Sequence, residues 1–499
     1  MRDRIVSGMR WTVWLSAISL PFSYATTILL ARISPEAIAT YGLLMVYIGV
    51  VLGLFYLGGD AVAIKFIPEL KPENRSSFLI SYYGVVCLAT IPWIAAALLW
   101  PGSLRYLFGN QTSSSFHLFL IIISPLCVLS SVVGAALKGS LEITWAQIVL
   151  RLITIGSFLV YITMYFAARP FLASNYMIII WGTYLGLSTI AVAVGLFQLF
   201  VRARNRIEWR KPRFFLPRGF WRYTLSLQQL SALGFFTQRL DALLVLNFGN
   251  LALLGQYVAL LTLAESIRLI GRYFIDALLP SLTNMIAGQN LTAASDVFAT
   301  HVRILFLVNT GTTCGLIFFA HAITSLLGHR YAGLSPLVAL LAFFLGLATP
   351  GGVAGALLSS IGKQQRGVWV AVGQVGLYVG LFLVLWPRWQ LTGAVLAYGF
   401  SWFISNLTLL IVAKRSSPFH IKIAREYSVF TCIAAAAVFV ELTRQPGLLG
   451  AFVGLAAAMS LFVLLGNYTA EECQAIVRFF VPSSGALRAR LIGSEVKQG

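Results

Sequence analysis

Charge is scarce in this chain of 499 residues. Asp, Glu, Lys and Arg make up 10% of it, hydrophobic residues make up 59%, and the mean hydropathy is +0.84. A water-solvated globule of that length needs far more polar surface, so the bilayer is the solvent. The short alternating segments of a membrane β-barrel are missing too, which leaves helices as the spanning elements. Cysteine is sparse and unpatterned. Cys87, Cys127, Cys314, Cys432 and Cys473 sit mostly inside apolar runs, without paired or metal-like spacing, and read as small packing residues. Neither a metal nor a bound cofactor is expected. The five histidines form no motif, and no GxxxxGK[ST] occurs, so this chain does not hydrolyse ATP.

What is abundant is apolar runs of about 20 residues, the length that crosses a hydrocarbon core of about 30 Å. Fourteen are expected, near 11–31, 37–59, 77–100, 114–137, 147–168, 175–200, 222–248, 253–280, 302–326, 335–358, 367–386, 391–413, 427–443 and 447–468. The first resembles a signal peptide, but it is long, rich in Ser and Thr and lacks a small-residue cleavage site, so it reads as a retained span. With the N-terminus in the cytoplasm, an even number of spans puts the C-terminus there too. Of the 36 Lys and Arg, 26 then fall in cytoplasmic segments, six in outside loops and four inside spans. That asymmetry follows the positive-inside rule. The net charge of +20 is therefore mainly a topology signal. The basic stretch RARNRIEWRKPRFFLPR (202–218) is expected to lie against anionic headgroups, not nucleic acid.

The same loop divides an internal repeat. ATYGLLMVYIGV (39–50) resembles LGQYVALLTLAE (254–265), IPEL (67–70) resembles LPSL (279–282), and VVGAALKGS (132–140) resembles VAGALLSSI (353–361). The offsets agree to within a few residues, and six spans separate the matched elements. The expected organisation is an N-lobe of six helices over 1–200, a basic cytoplasmic loop at 201–221, and a parallel C-lobe over 222–413. Two further helices follow over 414–468, then a basic tail at 469–499. Parallel six-helix lobes are a transporter architecture, with the substrate site between them. Gly- and Pro-bearing stretches such as SPLCVLSSVVGA (124–135) and ATPGGVAGA (348–356) suit either helix bending or close packing.

The charges that do lie within spans are concentrated. In LAESIRLIGRYFIDALLPSL (263–282), Glu265, Arg268, Arg272 and Asp276 fall on one helical stripe about 80° wide. Each charge costs roughly 2.5–3.5 kcal/mol at a membrane helix centre, so such a stripe faces protein or a wet cavity. Glu265–Arg268 and Arg272–Asp276 have the spacing of intrahelical ion pairs, a purely structural use. In the preceding span, Gln228, Ser231 and Arg239 share a face, and Asp241 points elsewhere. Three guanidiniums suit an anionic, oxygen-rich ligand, because Arg stays protonated when desolvated and forks onto phosphate. The expected substrate-binding residues are Arg239, Arg268, Arg272, Gln228 and Arg32. The carboxylates to test for coupling are Asp241, Glu265, Asp276 and Asp60.

With those residues in view, LLARISPEAIATYGLL (29–44), GGDAVAIKFIPEL (58–70), FTQRLDALLVLNFGNLALLGQYVA (236–259) and LLPSL (278–282) resemble the polysaccharide-export, or Wzx-type, flippases. These belong to the multidrug/oligosaccharidyl-lipid/polysaccharide (MOP) superfamily. The resemblance spans about 11–425, with two extra C-terminal helices. It implies movement of polyprenyl-pyrophosphate-linked oligosaccharide from the inner to the outer leaflet of a bacterial plasma membrane, for cell-surface polysaccharide biosynthesis. It also implies alternating access, a cationic cavity, and an H+ or Na+ gradient or the membrane potential as driving force. The polysaccharide-assembly machinery is the partner it suggests. A lipid II-type flippase or a MATE-like exporter shares the same fold. From another class, a membrane-embedded glycan polymerase or acyltransferase needs a reaction platform. The longest expected outside loop, about 101–113, is too short to be one, so the chain reads as a non-enzyme.

Overall fold

The structure, a computed structural model, describes residues 18–19, 21–99, 114–140, 142–202, 213–287, 289–417, 423–444, 447–466 and 468. Every regular element among them is helical. Helix α1 covers 21–33, followed by α2 (Pro35–Val50), a π-helical turn (Val51–Phe55), α3 (Asp60–Glu69) and α4 (Pro72–Leu99). Then come α5 (Ser114–Gly139), α6 (Ile143–Ala167), α7 (Arg169–Arg202), α8 (Phe220–Phe248) and α9 (Leu251–Ala287). The remainder is α10 (Leu291–Phe318), α11 (Ala320–Leu327), a 3-10 turn (His329–Leu334), α12 (Ser335–Ser360), α13 (Gln364–Ser416), α14 (Ala424–Arg444) and α15 (Leu448–Gly466).

Eleven helical segments among the described residues are long and apolar enough to cross a membrane. The difference from fourteen has three sources. The first expected span lies partly outside the described residues. Helix α13 holds two expected spans, divided where Gln390 leaves the helical region (φ 41°, ψ −117°). Helix α8, which coincides with the expected span 222–248, is too polar for the apolar criterion because it carries Gln228, Gln229, Gln238, Arg239 and Asp241. A helix of that composition is stable in a membrane when its polar face meets protein or water.

The chain forms two compact units. The first comprises 1–263, 323–334 and 371–401, and the second 264–322, 335–370 and 402–499. In the first unit, α5 packs on α3, α4, α6 and α7, and α2 packs on α7 and α8. Helices α2 and α9 approach so closely that a Cβ on Gly255 would lie 1.9 Å from the Pro35 carbonyl oxygen. In the second unit, α10 is central and packs on α12, α14 and α15.

The repeat is visible with one asymmetry. VVGAALKGS closes α5 and VAGALLSSI closes α12, so these copies occupy the same place at a helix end. The first pair differs. After α2 the chain passes through the π turn and a break with positive φ at Leu57 (44°), Gly58 (83°) and Gly59 (63°) before α3 starts. Its counterpart α9 runs unbroken for 37 residues. The reason is local: paired glycines readily adopt the left-handed region, and SIRLIGRYFI in α9 has no such pair.

The bends therefore fall at 56–59, at Asn175 in α7 and at Gln390 in α13. Pro125 and Pro350 sit inside continuous helices. The ATPGGVAGA stretch belongs to the most enclosed span, 83% buried. A Cβ on its Gly351 would come 2.4 Å from the Asn406 side chain. Its small residues serve close packing.

Candidate functional site

The charged stripe of α9 begins with Glu265 and Arg268, both half-buried. Arg268 Nη1 lies 3.5 Å from Glu265 Oε1, so the pair expected from the i, i+3 spacing forms at long range. The stronger restraint on Arg268 is Trp402 in the second half of α13, whose ring centroid is 4.1 Å from the guanidinium carbon. Stacking of this kind is worth about 0.5–2 kcal/mol, increasing with desolvation. Arg combines such an aromatic contact with a planar donor fork that matches phosphate oxygens. Arg272 and Asp276 lie further along the same helix. The side chains of Arg272 and Asp276 lie outside the described residues.

A second cation, Arg239 of α8, belongs to the first unit. Its aliphatic stem passes Gly49 of α2, where an added Cβ would sit 3.4 Å from Arg239 Cγ. Its guanidinium is within electrostatic reach of the Tyr41 hydroxyl on α2. Tyr161 of α6 and Tyr184 of α7 share that neighbourhood with Tyr41. A guanidinium beside a phenol offers donors and a flat apolar face together, the pairing that a saccharide phosphate uses.

Asp241 lies two residues beyond Arg239 and turns to a different helix, as its angular position on α8 requires. It is buried, and Tyr257 of α9 donates to its Oδ2 at 2.9 Å. Tyr378 and Tyr398 of α13 complete the surroundings, with ring centroids 6.3 Å apart and planes near perpendicular. A buried carboxylate that accepts from a phenol can hold its charge or take a proton.

Gln228 is committed to the backbone. Its Nε2 donates to the Gly53 carbonyl at 2.7 Å, and its Oε1 accepts from the Gly58 N–H at 3.2 Å. From α4, the Tyr82 hydroxyl reaches the carbonyls of Tyr56 (3.0 Å) and Gly59 (3.1 Å). These two side chains satisfy the backbone groups that the break after α2 releases, which water cannot do inside a bilayer. Arg32 is exposed at the end of α1, and its Nε donates to the Leu326 carbonyl at 2.8 Å. Asp60 opens α3, and its side chain lies outside the described residues. Among the described residues no group of three or more His, Cys, Asp or Glu could hold a metal ion.

Sequence reasoning missed Tyr41, Tyr161, Tyr184 and Trp402. Aromatics are spread over so many spans that only packing selects these four. It also passed over Glu441, a lone acid in the apolar run of α14, whose signal was that isolation itself.

No protein-family model and no curated protein sequence matches the chain. Solved structures do share its fold. An inward-facing multidrug-resistance MATE-family transporter of the MOP superfamily aligns with a TM-score of 0.66 and 14% identity, over 80% of this chain and 94% of that one. The lipid II flippase MurJ, in an inward closed conformation, aligns with a TM-score of 0.65 and 15% identity, over 91% and 97%. A MOP-superfamily transporter from Pyrococcus furiosus aligns with a TM-score of 0.57 and 14% identity, over 83% and 94%. The chain thus has the fold of MOP-superfamily transporters and flippases, and these neighbours are not enzymes.

Proposed function

We propose that this protein is a flippase that moves polyprenyl-pyrophosphate-linked oligosaccharide from the inner to the outer leaflet of the bacterial plasma membrane, by alternating access of its two expected lobes. The observation that carries this reading is Arg268, an always-charged donor kept within a membrane-spanning fold and stacked on Trp402. A guanidinium held flat in that way presents paired N–H groups, which match the oxygens of a pyrophosphate. Arg239 beside Tyr41 supplies a second anion-binding group with a face suited to sugar rings. Arg272, one turn further along α9, would extend the basic track. The polyprenyl tail would stay in lipid. The likeness to MurJ over nearly all of both chains supports a lipid-linked substrate.

Coupling is assigned to Asp241, a buried carboxylate that accepts from the Tyr257 phenol. Glu265 is the second candidate, because releasing or pairing Arg268 would track its charge. A MATE-like exporter is the competing reading, favoured by the alignment with the multidrug transporter. Deleting the gene and analysing lipid extracts by mass spectrometry separates the two. A defined polyprenyl-linked glycan should accumulate, and wild type should clear it while Arg268→Ala/Arg272→Ala does not. Sensitivity to cationic drugs without any lipid-linked glycan would establish the exporter.

A further inference from the structure

Glu441, in the last turn of α14, is wholly removed from solvent. Among the described residues neither of its carboxylate oxygens has a hydrogen-bond partner, and the hydroxyl of Ser335, the first residue of α12, is unsatisfied as well. Ser335 and His321, near the start of α11, are the polar groups that face it. His329 and Arg330 lie in the 3-10 turn that leads into Ser335. Helices α12 and α15 contain no ionisable side chain. On α10, Asp296, His301 and Arg303 lie in its first half, and Arg303 stands 4.0 Å from Glu426 at the opposite end of α14. Arg444, one turn on, is exposed.

A bare carboxylate enclosed without donors is costly, and removal of its charge is the usual resolution. The surroundings fit a proton better than a metal ion. Two carboxylate oxygens and one hydroxyl fall short of the roughly six oxygen ligands a hard cation takes. His321 is the proton's natural second home, because an imidazole exchanges protons near physiological pH.

We propose that Glu441, with His321 and Ser335, is a proton-binding site at the α11–α12–α14 corner of the second unit. In one state Glu441 is a carboxylic acid, and its O–H donates to the imidazole or to the Ser335 hydroxyl. In the other, that proton has moved to the imidazole nitrogen, leaving a carboxylate–imidazolium pair. The site lies at the helix ends that the Lys and Arg distribution assigns to the outer face, so its protons come from outside. It is separate from Asp241 and from the arginines, and it does not depend on which substrate is carried.

The test uses the purified full chain in nanodiscs, titrated with pH and followed by infrared spectroscopy and thermal melting. Wild type should show a protonated-carboxyl band that is lost in Glu441→Gln and displaced in His321→Asn. Wild type should also lose stability as pH rises, because the folded state holds a proton that the unfolded state releases. Glu441→Gln should melt no lower than wild type at neutral pH and lack that loss. The proposal is overturned if the band survives Glu441→Gln. It is also overturned if that variant melts several degrees lower at all pH values, or if sodium in place of choline stabilises wild type but not the variant. Should Glu441→Gln fail to fold, an unmoved band in His321→Asn is the refuting result. None of these readouts involves substrate, so their failure leaves the flippase reading standing.

Discussion

Gln228 offers the sharpest separation between a substrate-binding and a structural role. Its amide spans the break after α2, donating to Gly53 and accepting from Gly58, in a stretch where Leu57 holds a positive φ that a non-glycine residue rarely adopts. Gln228→Leu removes both bonds while keeping most of the volume. Each lost bond costs about 0.5–1.5 kcal/mol net, and a backbone group left enclosed without a partner raises that to about 1–3 kcal/mol. The expected destabilisation is about 2–4 kcal/mol, read as a lower melting temperature and denaturant midpoint of the purified protein. Gln228→Glu keeps the acceptor for Gly58 but sets a carboxylate beside the Gly53 carbonyl, and should cost about half as much or more. Tyr82→Phe acts on the same stretch through the Tyr56 and Gly59 carbonyls. The double variant should therefore show a coupling energy of about 0.5–3 kcal/mol instead of simple additivity. A Gln228→Leu protein that melts with wild type yet fails to clear substrate would refute this reasoning, and would mean that Gln228 contacts substrate directly.

Three other outcomes are expected. Arg268→Lys should keep the charge but lose the stack on Trp402 and the planar fork, so substrate clearance should fall tenfold or more in vivo while stability changes by no more than about 2 kcal/mol. Asp241→Asn and Tyr257→Phe should each reduce transport, and in a double-mutant cycle their effects should couple, since they share the 2.9 Å hydrogen bond. Gly255→Val should abolish folded, membrane-inserted protein, as judged by size-exclusion profile, because no side chain fits against the Pro35 carbonyl.

Much of this molecule is one-dimensional information. Bilayer thickness forces apolar runs of set length, and the absence of water inside forces helices, so composition and spacing alone determined a multi-pass helical membrane protein. The Glu265–Arg268 pair and the divergence of Asp241 from Arg239 also follow from helical angle, which any sequence reader can compute. The matched helix ends at VVGAALKGS and VAGALLSSI follow from the repeat. What distant parts of the chain bring together was decided only in three dimensions. The choice of Trp402 as platform for Arg268, of Tyr41 beside Arg239, and of Tyr378 and Tyr398 around Asp241 depends on which helix face meets which. The same holds for Gln228, whose polar face is spent on a break 170 residues away. Glu441 shows the limit most plainly. A single acid in an apolar run announces itself in the sequence, but its enclosure without a hydrogen-bond partner among the described residues exists only in the packed structure. Burial, and not residue type, sets the cost of its charge.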